Sequence, residues 1–179
     1  SGLRPDLVLA DRSAGQDCLE ALVRHHVSGQ LKIAPEHSEP HVLARMGKPS
    51  IEACLLFRER FYRATRAAGL DQFLTYYLMA AFPGCSLEDM HRLRRFTRTR
   101  LHAAPRQIQI FTPTPSTYGT LMYHTRRDPF DGKPLFVEKA RPQKQRQKTA
   151  VLPGGPSSRR PAGAKRRRAS KGAERSRNV

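Results

Sequence analysis

The sequence lacks tryptophan, is poor in cysteine, and has few acids for its size. It has 15 Asp and Glu against 33 Lys and Arg, a formal charge of +18. Three cysteines, Cys18, Cys54 and Cys85, stand far apart in 179 residues. That excludes a closed disulfide framework, and no pair has the short spacing of a zinc or redox motif. The longest apolar run, around Phe73 to Phe82, is about ten residues and too short to span a bilayer. No charged stretch followed by an apolar one opens the chain, so no secretory signal is expected. The expected setting is a reducing, cytoplasmic compartment without a membrane partner. Apolar residues make up 38%, below the usual 45–50% or so of globular chains, although that benchmark counts glycine.

What is abundant is positive charge, and it is unevenly placed. Residues 140–179 hold 13 Lys and Arg and one acid, Glu174, for +12; residues 1–139 carry the other +6. The later segment has just three large aliphatics, Val151, Leu152 and the terminal Val179, besides the linker-like run Pro153 to Ser158 and the basic run Lys165-Arg166-Arg167-Arg168. On composition, 140–179 is expected to be a disordered tail, because so little apolar surface cannot offset chain entropy. Clustered Lys and Arg there suit sequence-independent, salt-sensitive binding of RNA or another polyanion. No aromatic follows Phe136, so base stacking by the tail is not expected.

The first 139 residues alternate helical and strand patterns. A helix is expected from about Gly15 to His26 with Ser13 as cap, and a second from Ser50 to about Ala68, stopped by Gly69. A third starts at Ser86, whose acidic partner Asp89 makes a variant capping box. Strands are expected at 30–34, 73–80 and 107–111, the second buried on both faces, with 112–120 irregular because of its prolines. The spacing of the strands fits parallel βαβ crossovers. Three strands make an awkward complete domain. Either the chain is the later part of a larger α/β barrel, as its start without Met suggests, or Asp6–Ala10 supplies a fourth strand. Met122, Tyr123, Phe130, Leu135 and Phe136 are expected to cover the bottom or edge of such a barrel.

In parallel α/β folds ligands bind beyond the strands' C-terminal ends. Glu36 and His37 are the only adjacent acid and imidazole at such an end, and they line either a pocket or a solvated loop. Lys32 points either into a barrel or to an exposed face. Cys85, near a helix start, is either a low-pKa thiol or a small buried side chain. His25-His26 diverge on a helix and suit capping better than metal binding. The arginine-rich helix 92–100 spreads its charge over more than one face, which suits a solvated surface.

Several motifs in order resemble the YgiQ-like radical SAM proteins. They are Leu31-Lys32-Ile33-Ala34-Pro35-Glu36-His37 with Met46-Gly47-Lys48-Pro49, Tyr77 to Asp89 around Phe82-Pro83-Gly84-Cys85, and Phe111-Thr112-Pro113-Thr114-Pro115. Met122-Tyr123-His124-Thr125 with Asp128-Pro129-Phe130, and Ser1-Gly2-Leu3-Arg4-Pro5-Asp6, add to the likeness. It covers roughly residues 1–140. The resemblance implies an α/β fold, the C-terminal half of a partial (β/α)6 TIM-like barrel, here strands four to six, followed by the basic tail. It implies an enzyme that reductively cleaves S-adenosylmethionine (SAM) with a [4Fe–4S] cluster to a 5′-deoxyadenosyl radical. The cluster's CxxxCxxC motif is absent from these 179 residues, so this segment would supply no cluster ligand and the isolated chain would be inactive. It would line the SAM cavity through Lys32, Glu36, His37, Pro83, Gly84, Thr112 and Thr114. A basic RNA-binding module acting through the tail is the alternative.

Overall fold

The computed structural model describes residues 3–11 and 13–154. Strands β1 (Gln30–Glu36), β2 (Phe73–Ala80) and β3 (Ile108–Ile110) form an open parallel sheet in the order β1-β2-β3. Helices α1 (Pro5–Ala10) and α2 (Ala14–Ala21) precede it, α2 running on as a π-turn through Leu22–His26. Short α3 (Pro40–Arg45) and long α4 (Ile51–Ala67) make the first crossover, and α5 (Leu87–Thr99) the second. Beyond β3 come α6 (Tyr118–Thr125) and α7 (Arg141–Val151). Among the described residues no helix is long and apolar enough to cross a membrane.

Local chemistry explains the crossovers. The Glu52 amide donates to the Ser50 hydroxyl, satisfying one of the orphan donors that open α4. Cys54, Phe57, Phe61, Ala64 and Thr65 then recur at helical spacing and bury one face, and Gly69 ends the helix at φ 67°. In α5 the expected capping box is present: the Ser86 hydroxyl accepts from the Asp89 amide, and Asp89 accepts from the Ser86 amide at 2.7 Å. Ser13 precedes α2 but does not cap it with its hydroxyl. Asp11 does that work, accepting from the Ser13 and Ala14 amides at 2.8 Å each.

The core joins Phe57 and Phe61 of α4 and Met90 and Leu93 of α5 to Ile33, Leu74, Leu78 and Ile108 of the sheet. In β2, Leu74, Tyr76, Leu78 and Ala80 are buried while Thr75, Tyr77 and Met79 are half-exposed. The expectation of burial on both faces is thus corrected: an apolar composition concealed a period-2 strand with one covered face. The partly covered face carries Lys32 and Gln109, which are exposed, and Thr75, Tyr77 and Met79, which are half-buried.

Four further expectations are revised. Asp6–Ala10 is not a strand: Pro5 opens a helix there, and only Leu3 joins the sheet, by a single parallel bridge to Ile33 on the free edge of β1. The irregular stretch after β3 ends at Thr117, which caps α6 by accepting from the Thr120 amide. Phe130 and Phe136 are 69% and 54% exposed, Phe130 lying against the likewise exposed Tyr118 ring, whereas Met122 is fully buried. The expected disorder from residue 140 also fails over Arg141–Val151. That segment is helical and buries Gln147, Ala150 and Val151 against the sheet and α5. Average composition had hidden three inward positions at i, i+3 and i+4 spacing. The rest of the expected tail, 155–179, lies outside the described residues.

Candidate functional site at the strand ends

The C-terminal ends of β1 and β2 meet in a rim of polar side chains. At Glu36 the register of β1 against β2 shifts and the backbone turns to φ 66°, so Glu36 and His37 point apart. The Glu36 carboxylate is mostly buried. Its Oε1 lies 3.2 Å from Lys48 Nζ, and its Oε2 is buried without a hydrogen-bond partner.

His37 is fully buried. Its Nδ1 accepts from the Glu39 amide at 3.1 Å, which places the ring proton on Nε2, 3.5 Å from Cys85 Sγ. Burial lowers its pKa from 6.5 to about 4, the neighbouring Asp89 opposing this only in part. His37 is a neutral strut behind the rim and does not line a pocket. Cys85 is likewise the buried alternative: burial pushes its thiol up to about 12, the reverse of an activated thiolate.

Pro83 is buried, and Gly84 sits at φ 87° with its amide donating to the Phe136 carbonyl at 2.8 Å. A Cβ at Gly84 would lie 3.1 Å from both Arg45 Cδ and Leu135 Cδ1. Arg45 is itself held by Asp128 at 3.0 Å. Thr112 and Thr114 are exposed on the loop after β3, and the Thr114 carbonyl accepts from the Thr117 and Thr120 hydroxyls. Lys32 is exposed on the open face opposite Thr75, which accepts from the Gln30 amide group at 3.0 Å. Four residues of strand, about 13 Å, separate Lys32 from Glu36. The structure therefore gathers Glu36, His37, Pro83 and Gly84 at one rim and leaves Lys32 on the sheet face below it.

Sequence reasoning missed the network that ties the rim together. Arg92 bridges Glu39, at 2.7 Å, and Asp89, while His41 Nε2 lies 3.4 Å from the same Asp89 carboxylate. Burial pushes the Asp89 pKa up, but the Ser86 hydroxyl and amide, with His41 and Arg92 beside it, outweigh this and hold the pKa below its ordinary value. Glu39 and Arg92 are 53 positions apart, so no local pattern announces their pairing. Glu39, His41 and Asp89 bring three ligand atoms within 4.8 Å of one another, yet both carboxylates are already paired with the Arg92 guanidinium. Beside β1, a cavity of about 220 Å³ is lined by Leu3, Ala34, Pro35, Lys48, Ser50 and Cys54.

The cysteines do not suit an iron–sulfur cluster. Cys18 is exposed, Cys54 and Cys85 are buried, and burial drives both buried thiols up to about 12, away from the thiolates a cluster requires.

No protein-family profile and no solved structure matches this chain. It is similar to UPF0313 proteins, a name that carries no activity. It is 50% identical to one from Fusobacterium nucleatum over 151 residues, 84% of this chain and 27% of the relative. It is 42% identical to one from Clostridium perfringens over 84% of this chain and 22% of the relative. Against one from Geobacter sulfurreducens it is 42% identical over 160 residues, 89% of this chain and 26% of the relative. The chain thus spans about a quarter of the length of the UPF0313 proteins it resembles.

Proposed function

We propose that this chain forms later strands of a radical SAM barrel, helping to line the cavity in which a larger protein cleaves SAM in a reducing, cytoplasmic setting. One observation carries the reading: a parallel sheet whose second face, bearing Lys32, Thr75, Tyr77, Met79 and Gln109, is only partly covered, and whose β1 edge is already bridged by Leu3. A face bearing Lys32, Thr75, Tyr77 and Gln109 suits the lining of a partly wet cavity better than either a core or a plain exterior. The similarity to proteins about four times longer agrees with it.

SAM, when bound and reduced by one electron from a [4Fe–4S] cluster, supplies the radical that takes hydrogen from a substrate. The cluster's ligands belong outside these residues. Glu36 has the free acceptor that a SAM hydroxyl or amino group needs: Lys48 anchors Oε1 and leaves Oε2 without a partner. Lys32 offers a cation to a carboxylate. Pro83 and Gly84 shape the wall, and the Gly84 amide is committed to Phe136. Thr112 and Thr114 border the third strand end. His37 acts through Glu39 and Cys85, holding the rim from behind.

The test uses the full gene product, purified anaerobically and reconstituted with iron and sulfide. Reduction with SAM should release 5′-deoxyadenosine, and Glu36→Gln should impair that release. A full-length protein with neither cluster absorbance nor 5′-deoxyadenosine would refute the reading. A second proposal, binding of RNA or another polyanion, rests on the nine Lys and Arg of residues 155–179.

A further inference from the structure

The turn from β2 into α5 makes the rim's second wall, and its conformation is costly. Ala81 sits at φ 59°, where a residue with a Cβ is strained, and Gly84 follows at φ 87°. The Ala81 amide and the Cys85 carbonyl flank Pro83-Gly84. Both are taken by one side chain from the far end of the chain. Gln147 of α7 accepts from the Ala81 amide with Oε1 at 2.9 Å and donates from Nε2 to the Cys85 carbonyl at 3.2 Å. Its Oε1 also lies 3.7 Å from Cys85 Sγ, and the residue is 2% exposed.

Gln147 is not explained by packing alone. A buried amide is tolerated only where its polar atoms are paired. Here donor and acceptor are both spent on the same five-residue turn, spanning it like a clamp. Neither bond needs the sequence neighbours of Gln147; α7 is held independently by Ala150 and Val151 in the core.

Resting on the radical SAM reading, we infer that Gln147 is a positioning residue of the SAM cavity. It holds the Ala81–Cys85 turn in its strained form, so that α7 completes the cavity wall. Loss of the clamp frees the turn to relax toward ordinary backbone angles. The wall then moves while the reacting groups stay in place.

The test takes the full gene product and two substitutions. Gln147→Met keeps the length and packing of the side chain but removes both bonds. Gln147→Glu keeps the acceptor for the Ala81 amide and loses the donor to Cys85. Gln147→Met is expected to raise the KM for SAM about tenfold or more with kcat within about twofold, because ground-state positioning is lost before chemistry. Hydrogen exchange at the Ala81 amide should quicken in Gln147→Met and much less in Gln147→Glu, whose KM should fall between the other two. If both variants turn over with wild-type KM, the inference is wrong. It is equally wrong if kcat alone falls while Ala81 exchange is unchanged. Should Gln147→Met fail to fold, the KM and Ala81 exchange of Gln147→Glu decide. A wild-type protein that neither binds nor cleaves SAM overturns the enzyme reading itself, and this positioning role with it, whereas wild-type turnover beside unaltered variants overturns the positioning role alone.

Discussion

Burial of His37 should leave a signature in the pH dependence of stability. The folded ring has its pKa lowered to about 4 by burial, against 6.5 for an ordinary imidazole. Between those values the unfolded chain binds a proton that the folded chain refuses, so stability is lost as the pH falls from 6.5 toward 4 and regained as it rises. The whole effect is about 3 kcal/mol, of which about 2 kcal/mol falls between pH 7 and pH 5. That upper window leaves the Asp89 carboxylate ionised in both states, since its folded pKa lies below its ordinary value. Urea unfolding followed by circular dichroism at pH 7, 6 and 5 measures the loss directly. In His37→Asn the amide oxygen can replace Nδ1 as acceptor for the Glu39 amide, but nothing titrates. The variant should be less stable at pH 7 yet lose about 2 kcal/mol less than wild type on going to pH 5. Equal losses in the two proteins would mean that His37 is protonated in the folded state, and the neutral strut would be wrong.

Gly84→Ala should lower stability by about 1–3 kcal/mol, from the left-handed φ and the 3.1 Å approaches to Arg45 and Leu135, seen as a reduced urea midpoint. An unchanged midpoint would mean that the turn relaxes freely. Asp89→Ala removes the capping box and leaves Arg92 with fewer partners, for an expected loss of about 1–3 kcal/mol at pH 7. Because the folded Asp89 pKa is lowered, the stabilising contribution present in wild type above the ordinary carboxylate range should fade as the pH drops through that lowered value. A wild-type-minus-variant difference that does not shrink in acid would count against it. Removal of residues 155–179 should weaken RNA binding and flatten its salt dependence, measured by fluorescence anisotropy at two salt concentrations. Identical affinity without those residues would dismiss the polyanion proposal.

Elements with local signals were readable in advance. Ser50 with Gly69 and Ser86 with Asp89 bracket or open helices through chemistry confined to a few neighbouring residues, and β1, β2 and β3 fall where short apolar runs meet prolines. Errors arose where composition was averaged. The apolar Phe73–Ala80 run concealed an alternation, and the basic 140–179 segment concealed the inward stripe of α7. At the site, the prominence of Glu36-His37 was legible but its division of labour was not, because a single left-handed residue sends one side chain to Lys48 and the other into the core.

The sequence by itself determined the crossovers, the parallel order they permit, and the placement of polar residues at strand ends, because caps, breakers and periodicity act over a handful of bonds. Only the tertiary structure decided which polar groups are paired. His37 meets Cys85, Arg92 joins Glu39 to Asp89, and Gln147 reaches Ala81 across 48, 53 and 66 positions respectively. Such pairings depend on the register and packing of whole elements, and a buried polar group takes whatever partner the fold brings within about 3 Å.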